Sequence, residues 1–261
     1  MKVAVLIATR PRVECLLNTS LPSILRQSRP PDIVVLVPDA RSLTDDEALR
    51  CRAALNGIPL HNLSDVQGAG LAAAWNAGLD AISNLELADY VALLDDDDEW
   101  DSIHLEACQS ASRQKGLAAD VVISGLRIVR EGIELPRQPL NAVRVDDFLV
   151  GNPGWQGSNT FAKLELLQRV GGFTFGLRSA NDRDLAIRIL DQANVRIAFT
   201  KQMTATWHLG KQPDAISTYG GEDKRLGLRQ FHQMYRHRMT DSQLRCAVNR
   251  AIQLFGVNPE A

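Results

Sequence analysis

Tyr90-Val91-Ala92-Leu93-Leu94-Asp95-Asp96-Asp97-Asp98-Glu99-Trp100 decides the fold. An uninterrupted apolar run of this length suits a strand covered on both faces, as in a parallel sheet between two helical layers. It runs straight into a row of carboxylates. In open α/β sheets ligands bind beyond the carboxyl ends of the strands, so these acids stand at the ligand edge. Crowded like charges cost about 1 kcal/mol per close pair in water and more when desolvated. A hard divalent cation, Mn²⁺ or Mg²⁺, relieves that cost and bridges carboxylates to phosphates. A solvated acidic turn capping the next helix is the plainer meaning of such a run; its position directly after a buried strand favours the metal.

Outward from this stretch the same pattern repeats. Residues 3–8 and 33–37 are continuous aliphatic strands, closed by Thr9-Arg10-Pro11-Arg12 and by Pro38-Asp39. Helical periodicity marks residues 13–27, with Pro22 as a kink, then 45–55 and the alanine-rich 71–82; a short strand falls near 58–62 and a glycine loop at Gly68-Ala69-Gly70. Alternating strands and helices with short connections predict an α/β fold, a mostly parallel, Rossmann-like sheet flanked by helices. Beyond it lie a helix over 103–115, a strand over 121–130, a loop over 151–157, a strand near 160–161, a helix opening at Asn181-Asp182 and a strand over 195–199.

The chain divides on this pattern into 1–100, 101–210 and 211–261, the last a mobile loop with a short helical C-terminal appendage. In the appendage Thr240-Asp241-Ser242 caps a helix with Leu244, Ala247, Val248, Ala251, Ile252 and Phe255 on one side, stopped by Gly256. That face is expected to pack on the domain; a partner or membrane contact is the alternative.

Composition narrows the classes. With 261 residues, 45% apolar and 23% charged, the chain is an ordinary soluble globular protein, and a net charge of −2 gives no case for nucleic acid. Cys15, Cys51, Cys108 and Cys246 are scattered without a CxxC pair, and the histidines make no zinc-finger spacing. The apolar N-terminal run is too short for a signal peptide or a span. A cytoplasmic location is expected, with peripheral contact at the inner face of a membrane left open.

The segments together carry a resemblance. VALLDDDDEW looks like the strand and DxD motif of the inverting family 2 glycosyltransferases, which have the GT-A fold. In the same order, KVAVLIATRPR, IVVLVPDARS, GAGLAAAWNAGL, SNTFAKLELLQRVGGF and ANDRDLAIRI resemble further segments of that family, over residues 3 to about 210.

The resemblance implies a sugar transfer from a nucleotide-sugar donor to a carbohydrate, lipid-linked or small-molecule acceptor, in a setting such as polysaccharide biosynthesis. UDP is the family's commonest carrier. Thr9 and Asp39 would line the base pocket, with Arg10 and Asn76 beside the nucleotide, Asp95 at the ribose and Asp96 adjacent. Asp97 would bind the metal, and His208 is a second candidate ligand. Asp182 matches the general base, although an ordinary helix cap is its plainer role. Asp184 would orient that turn or an acceptor group, and Trp155 would stack on a sugar or anchor its loop. Residues 211–222 would close over the donor.

Three positions depart from the family pattern: Trp75 stands where an arginine is common, Asn181 where an acid precedes the base, and Arg10 where an aromatic or small polar residue is usual. Two alternatives stay open. A nucleotidyltransferase would carry a glycine-rich first loop, which Thr9-Arg10-Pro11-Arg12 lacks. A non-catalytic nucleotide-sugar sensor fits the Asn181 change but not the retention of Asp95, Asp97 and Asp182.

Overall fold

The computed structural model describes residues 1–64, 70–116, 118–210, 215, 216 and 218–261. Strand β1 (Val3–Thr9) leads into α1 (Val13–Cys15), a π-helical stretch (Leu16–Ser20) and α2 (Leu21–Leu25). Pro22 offers no N–H to the carbonyl one turn earlier, and the widened π geometry lies just before it. There follow β2 (Ile33–Pro38), α3 (Asp45–Ala54), β3 (Leu60–Asn62), α4 (Leu71–Asn84), β4 (Tyr90–Leu93), β5 (Glu99–Trp100) and α5 (His104–Ser112). The second half contains β6 (Val121–Arg130), β7 (Ile133–Leu135), α6 (Val145–Val150), β8 (Thr160–Lys163), α7 (Leu164–Arg169) and α8 (Asn181–Leu190). It ends with β9 (Ile197–Leu209), α9 (Glu222–Tyr235) and α10 (Asp241–Phe255).

Among the described residues the strands form one sheet in the order β3-β2-β1-β4-β8-β6-β9-β5, with β7 on β6. β3, β2, β1, β4, β6 and β9 share one direction, so the sheet is mostly parallel, as expected. The exception at its centre is β8, which runs antiparallel to both β4 and β6.

The continuous apolar runs of β1, β2 and β4 are explained by two cores. Val3, Val5, Ile7, Val34, Leu36, Tyr90 and Ala92 face one, and Ala4, Leu6, Ala8, Val35, Val37, Val91 and Leu93 face the other. Side chains alternate along a strand, so each second residue supplies each layer and no polar position is left. On one side Gly78 lets α4 ride directly on β1: a Cβ there would collide with Leu6 and come within 3.0 Å of Val37.

Two features matter for the site. β9 is far longer than the strand anticipated at 195–199 and continues to Leu209. The C-terminal segment packs on the domain, as its apolar face led us to expect, and joins the larger core: Phe231, Tyr235, Met239 and Ala247 belong to the same apolar cluster as Leu6 and Leu93. Among the described residues no helix is long and apolar enough to cross a membrane.

Candidate active site

The acidic turn after β4 is tied down by one serine. Ser158, in the 3-10 turn Gly157–Asn159, accepts the Asp95 N–H at 3.1 Å and donates its hydroxyl to Asp98 Oδ2 at 2.5 Å. Its carbonyl accepts Trp100 Nε1–H at 2.6 Å, and the His208 N–H reaches Asp98 Oδ1 at 3.3 Å. Asp98 is therefore wholly buried and spent on the fold; burial, then Asp95 and Asp97, push its pKa upward. Asp96 is also buried. It accepts the Thr9 hydroxyl at 2.5 Å and a two-pronged contact from Arg12, whose Nη1 lies 3.3 Å from Asp97. Burial raises the Asp96 pKa to about 6 against the opposing pull of Arg12.

Asp95 and Asp97 line the cavity, of about 410 Å³, that opens beyond this strand edge. Asp182 lines it too, from the first turn of α8. Ala180, just before that helix, holds φ at 66°, a left-handed conformation uncommon for a residue with a side chain. Such strain gathers at functional sites. The carboxylates of Asp95 and Asp182 converge over Gly157: a Cβ on that glycine would lie 3.8 Å from an oxygen of each. A side chain there would stand between them.

Burial raises the Asp182 pKa to about 6, held from going higher by Lys224 and by the Gly157 N–H. Asp95 is pushed well above the usual carboxylate range by burial first, then by Asp182, Asp97 and Asp96. A carboxylate that loses its proton near pH 6 inside a cavity is suited to act as a base at neutral pH. Beside it, the buried Oδ1 of Asn181 has no hydrogen-bond partner among the described residues, an acceptor free for a ligand hydroxyl.

The structure thus brings Arg10, Asp95, Asp96, Asp97 and Asp182 to one cavity, with Thr9 behind Asp96. Asp39 stands at the end of the neighbouring strand. It accepts the Ala40 N–H at 2.9 Å and the Gly70 N–H at 3.3 Å, and Arg10 comes within 3.9 Å.

Of four expected site residues, Asn76 and His208 are turned to partners within the protein, whereas Trp155 and Asp184 take the anchoring and turn-orienting roles that were the alternatives to ligand contact. Asn76 clasps the Phe173 backbone in both directions, at 2.8 and 2.7 Å, joining α4 to the Gly-Gly-Phe turn instead of a nucleotide. Trp155 is buried edge-on to Phe148 and donates to Thr160 Oγ1 at 2.8 Å, which makes it a loop anchor. Asp184 is buried completely and consumed by Tyr235, Thr174 and Arg188. His208 lies on β9 between Trp207 and Leu209, which line the cavity, so alternation turns its ring away, 3.0 Å from Glu99. Gly68 and Ala69 of the glycine loop, and residues 211–214 and 217 of the anticipated lid, lie outside the described residues.

Sequence reasoning missed Arg12, Gly157 and Ser158. Arg12 was visible as a cation in the first loop. Gly157 and Ser158 carry no local signal, because their role depends on a turn packed against a strand end distant in sequence.

Asp95 and Asp97 offer the hard oxygen donors that Mn²⁺ or Mg²⁺ prefers. Among the described residues no group of three or more His, Cys, Asp or Glu could hold an ion alone. The residues fit an ion of the kind that keeps waters and takes phosphate oxygens for the rest of its shell.

The sequence model of the family described as Glycosyl transferase family 2 matches residues 4–186. Among solved structures the fold is similar to S. aureus TarS 1-349 in complex with UDP-GlcNAc. The TM-score is 0.69 at 18% identity, over 97% of this chain and 73% of that one. It is also similar to the mannosyltransferase PcManGT from Pyrobaculum calidifontis in complex with GDP-Man and Mn²⁺. There the TM-score is 0.59 at 18% identity, over 97% of this chain and 69% of that one. Likeness at such identity speaks for the fold. No curated protein matches the chain by sequence.

Proposed function

The chain belongs to glycosyltransferase family 2, and from that premise we propose that it moves a sugar from a nucleoside-diphosphate sugar to an acceptor hydroxyl in one inverting displacement. The approach of Asp95 and Asp182 to Gly157, each with an oxygen 3.8 Å from where a Cβ on that glycine would lie, carries this reading, because a donor-side and an acceptor-side carboxylate can then serve one substrate. Asp182, with a pKa of about 6, takes the proton of the attacking hydroxyl. A single attack from the side opposite the leaving group inverts the sugar carbon. Asn181 Oδ1 accepts a hydroxyl of the sugar or the acceptor.

On the donor side Arg10, backed by Asp39, contacts the nucleotide and Asp95 approaches the ribose, while Thr9 acts through its bond to Asp96. Asp95 and Asp97 would hold Mn²⁺ or Mg²⁺, which when bound supplies Lewis-acid stabilisation of the departing diphosphate. Arg12, already against Asp96 and Asp97, orients that edge and adds a fixed cation beside the same phosphates. The similar structures hold UDP-GlcNAc and GDP-Man, which supports a nucleotide sugar here; UDP is the first candidate.

The test is a thermal-shift titration with UDP, GDP, CDP and dTDP, each with and without Mn²⁺. A ligand at a hundredfold excess over its dissociation constant stabilises the fold by about 2.7 kcal/mol. One diphosphate is expected to raise the melting temperature in a Mn²⁺-dependent way, and Asp97→Asn to abolish the metal-dependent part. No shift with any of the four would overturn the donor assignment and favour a relative that has lost it.

A further inference from the structure

Lys224 of α9, Arg183 of α8, Arg250 of α10 and Arg137 all line the same cavity. Each is held by neutral groups. Arg183 donates to the Phe148 and Leu149 carbonyls at 2.8 and 3.0 Å and lies 4.0 Å from the centre of the Phe231 ring. Lys224 donates to Ser179 Oγ at 3.0 Å, 4.3 Å from the Phe255 ring centre. Arg250 reaches the Asn152 carbonyl at 3.4 Å, and Arg137 the Pro153 carbonyl. Among the described residues none of the four makes an ion pair with a carboxylate, whereas most arginines elsewhere in the chain do.

These cations also repel one another in series: Arg137 with Arg250, Arg250 with Arg183, Arg183 with Lys224. Burial first, and then this repulsion, lowers Arg183 to about 9 and Lys224 to about 8. The backbone makes room for them. A Cβ at Gly151 would sit 2.5 Å from Arg250 Nε, and one at Gly154, where φ is 130°, would overlap Arg137. The loop is bare of side chains at the two places where these guanidinium groups rest, and a cavity wall on which four cations meet with no carboxylate in contact among the described residues, Asp182 acting on Lys224 from beyond it, suits an anion.

We propose that this wall is an acceptor subsite for a phosphate ester, whose anionic group sits among Arg137, Arg250 and Lys224 while a hydroxyl of the same molecule faces Asp182. It rests on the glycosyltransferase reading, with Asp182 on the acceptor side. Guanidinium forks match phosphate oxygens in pairs, and Lys224 stands between the anion and the base. Leu228, Leu254 and Phe255 continue the wall beside the cations, so the phosphate can come from a water-soluble ester or from a lipid phosphate.

The experiment is calorimetric titration of the whole chain, presaturated with Mn²⁺ and whichever nucleoside diphosphate raises its melting temperature. Glycerol 1-phosphate and 1-octanoylglycerol 3-phosphate, each with a free hydroxyl, are the probes, with glycerol and 1-octanoylglycerol as controls. At least one phosphate is expected to bind ten-fold or more tightly than its alcohol. The gain should fall as salt is raised from 50 to 300 mM and be lost in Arg137→Gln/Arg250→Gln, while the nucleotide shift persists. Equal gains for both phosphates point to a soluble ester, and a larger gain for the acylated phosphate to a lipid; either supports the subsite. Phosphates binding no better than the alcohols would overturn it, as would loss of the nucleotide shift in the double variant, which would assign these arginines to the donor. Failure of every nucleotide to bind concerns the donor reading instead, and in that case the phosphate titration on the chain alone still decides the subsite.

Discussion

Two short segments supply the cavity's carboxylates, and they handle like residues differently. After β4, Asp95, Asp96 and Asp97 border the cavity, Asp96 nearly buried against its partners, while Asp98 turns inward, and burial with mutual repulsion raises the pKa of Asp95, Asp96 and Asp98. Arg12 and Thr9 compensate Asp96, and Ser158 holds Asp98, but among the described residues Asp95 makes no ion pair and feels Arg12 only at a distance. In the first turn of α8 the division is complete. Asp182 stands in the cavity with a single N–H from Gly157, whereas Asp184 is enclosed by Tyr235, Thr174 and Arg188. A partly compensated carboxylate is available for chemistry, and a fully compensated one is part of the core. The difference comes from the helix itself, which turns residues two apart in sequence to different faces.

The largest expected effect tests the available carboxylate. Asp182→Asn should lower kcat by about 10²- to 10⁴-fold, the usual range for a general base, with the donor's melting shift unchanged. In the native enzyme kcat should climb with pH through about 6, where Asp182 loses its proton. Stability should move the other way. A carboxylate whose folded pKa is raised above its unfolded value near 3.8 contributes stability fully below that value and loses it as pH rises through about 6. At pH 7.5 Asp182→Asn should therefore be more stable than the native protein by about 1–2 kcal/mol, with the advantage fading toward pH 4. Turnover within three-fold of native would remove Asp182 from the mechanism.

The enclosed carboxylate should show the opposite signature. Asp184→Asn keeps the shape but leaves Arg188 without its counter-charge and presents a donor to Tyr235 or Thr174. A cost of about 2–3 kcal/mol is expected, below the full penalty for a broken buried pair because Arg188 is 23% exposed. Denaturant melts would show the loss, while kcat of the protein still folded stays near native. A stable variant with poor turnover would mean that Asp184 reaches substrate after all, and the contrast within α8 would fail.

Much of this was legible before any coordinates. The runs of β1, β2 and β4 announce strands buried on both faces, and a carboxylate row directly after β4 has only the ligand edge to occupy. Asp182 at a helix start was equally plain. What the sequence hid was direction and face. Thr160–Lys163 is too short to reveal that β8 runs antiparallel. The amphipathic pattern of α10 shows an apolar stripe, but not that Arg250 at its margin lines the same cavity as Arg10. Trp155 reads equally as a stacking platform or an anchor until its indole N–H is seen on Thr160. Like charges held near one another by tertiary packing leave no trace in local spacing.

The smallest effect tests face alone. His208 was attractive as a metal ligand only while β9 was taken to end well before it; in the full strand it alternates with Trp207 and Leu209. Glu99 pairs across the ladder with Thr206, two residues earlier and on the same face, so the imidazole finds that carboxylate in place of the cavity. His208→Ala removes a half-exposed pair worth about 0–1 kcal/mol and keeps the backbone N–H that holds Asp98. The Mn²⁺-dependent melting shift should be unchanged and kcat within about two-fold of native. A lost metal response would require the ring to point inward, which the pleat allows only if β9 slips by one residue against β5 and β6. That slip would also drive Trp207 out of the cavity wall, so a small variant at a strand's end reports on the register of the whole strand.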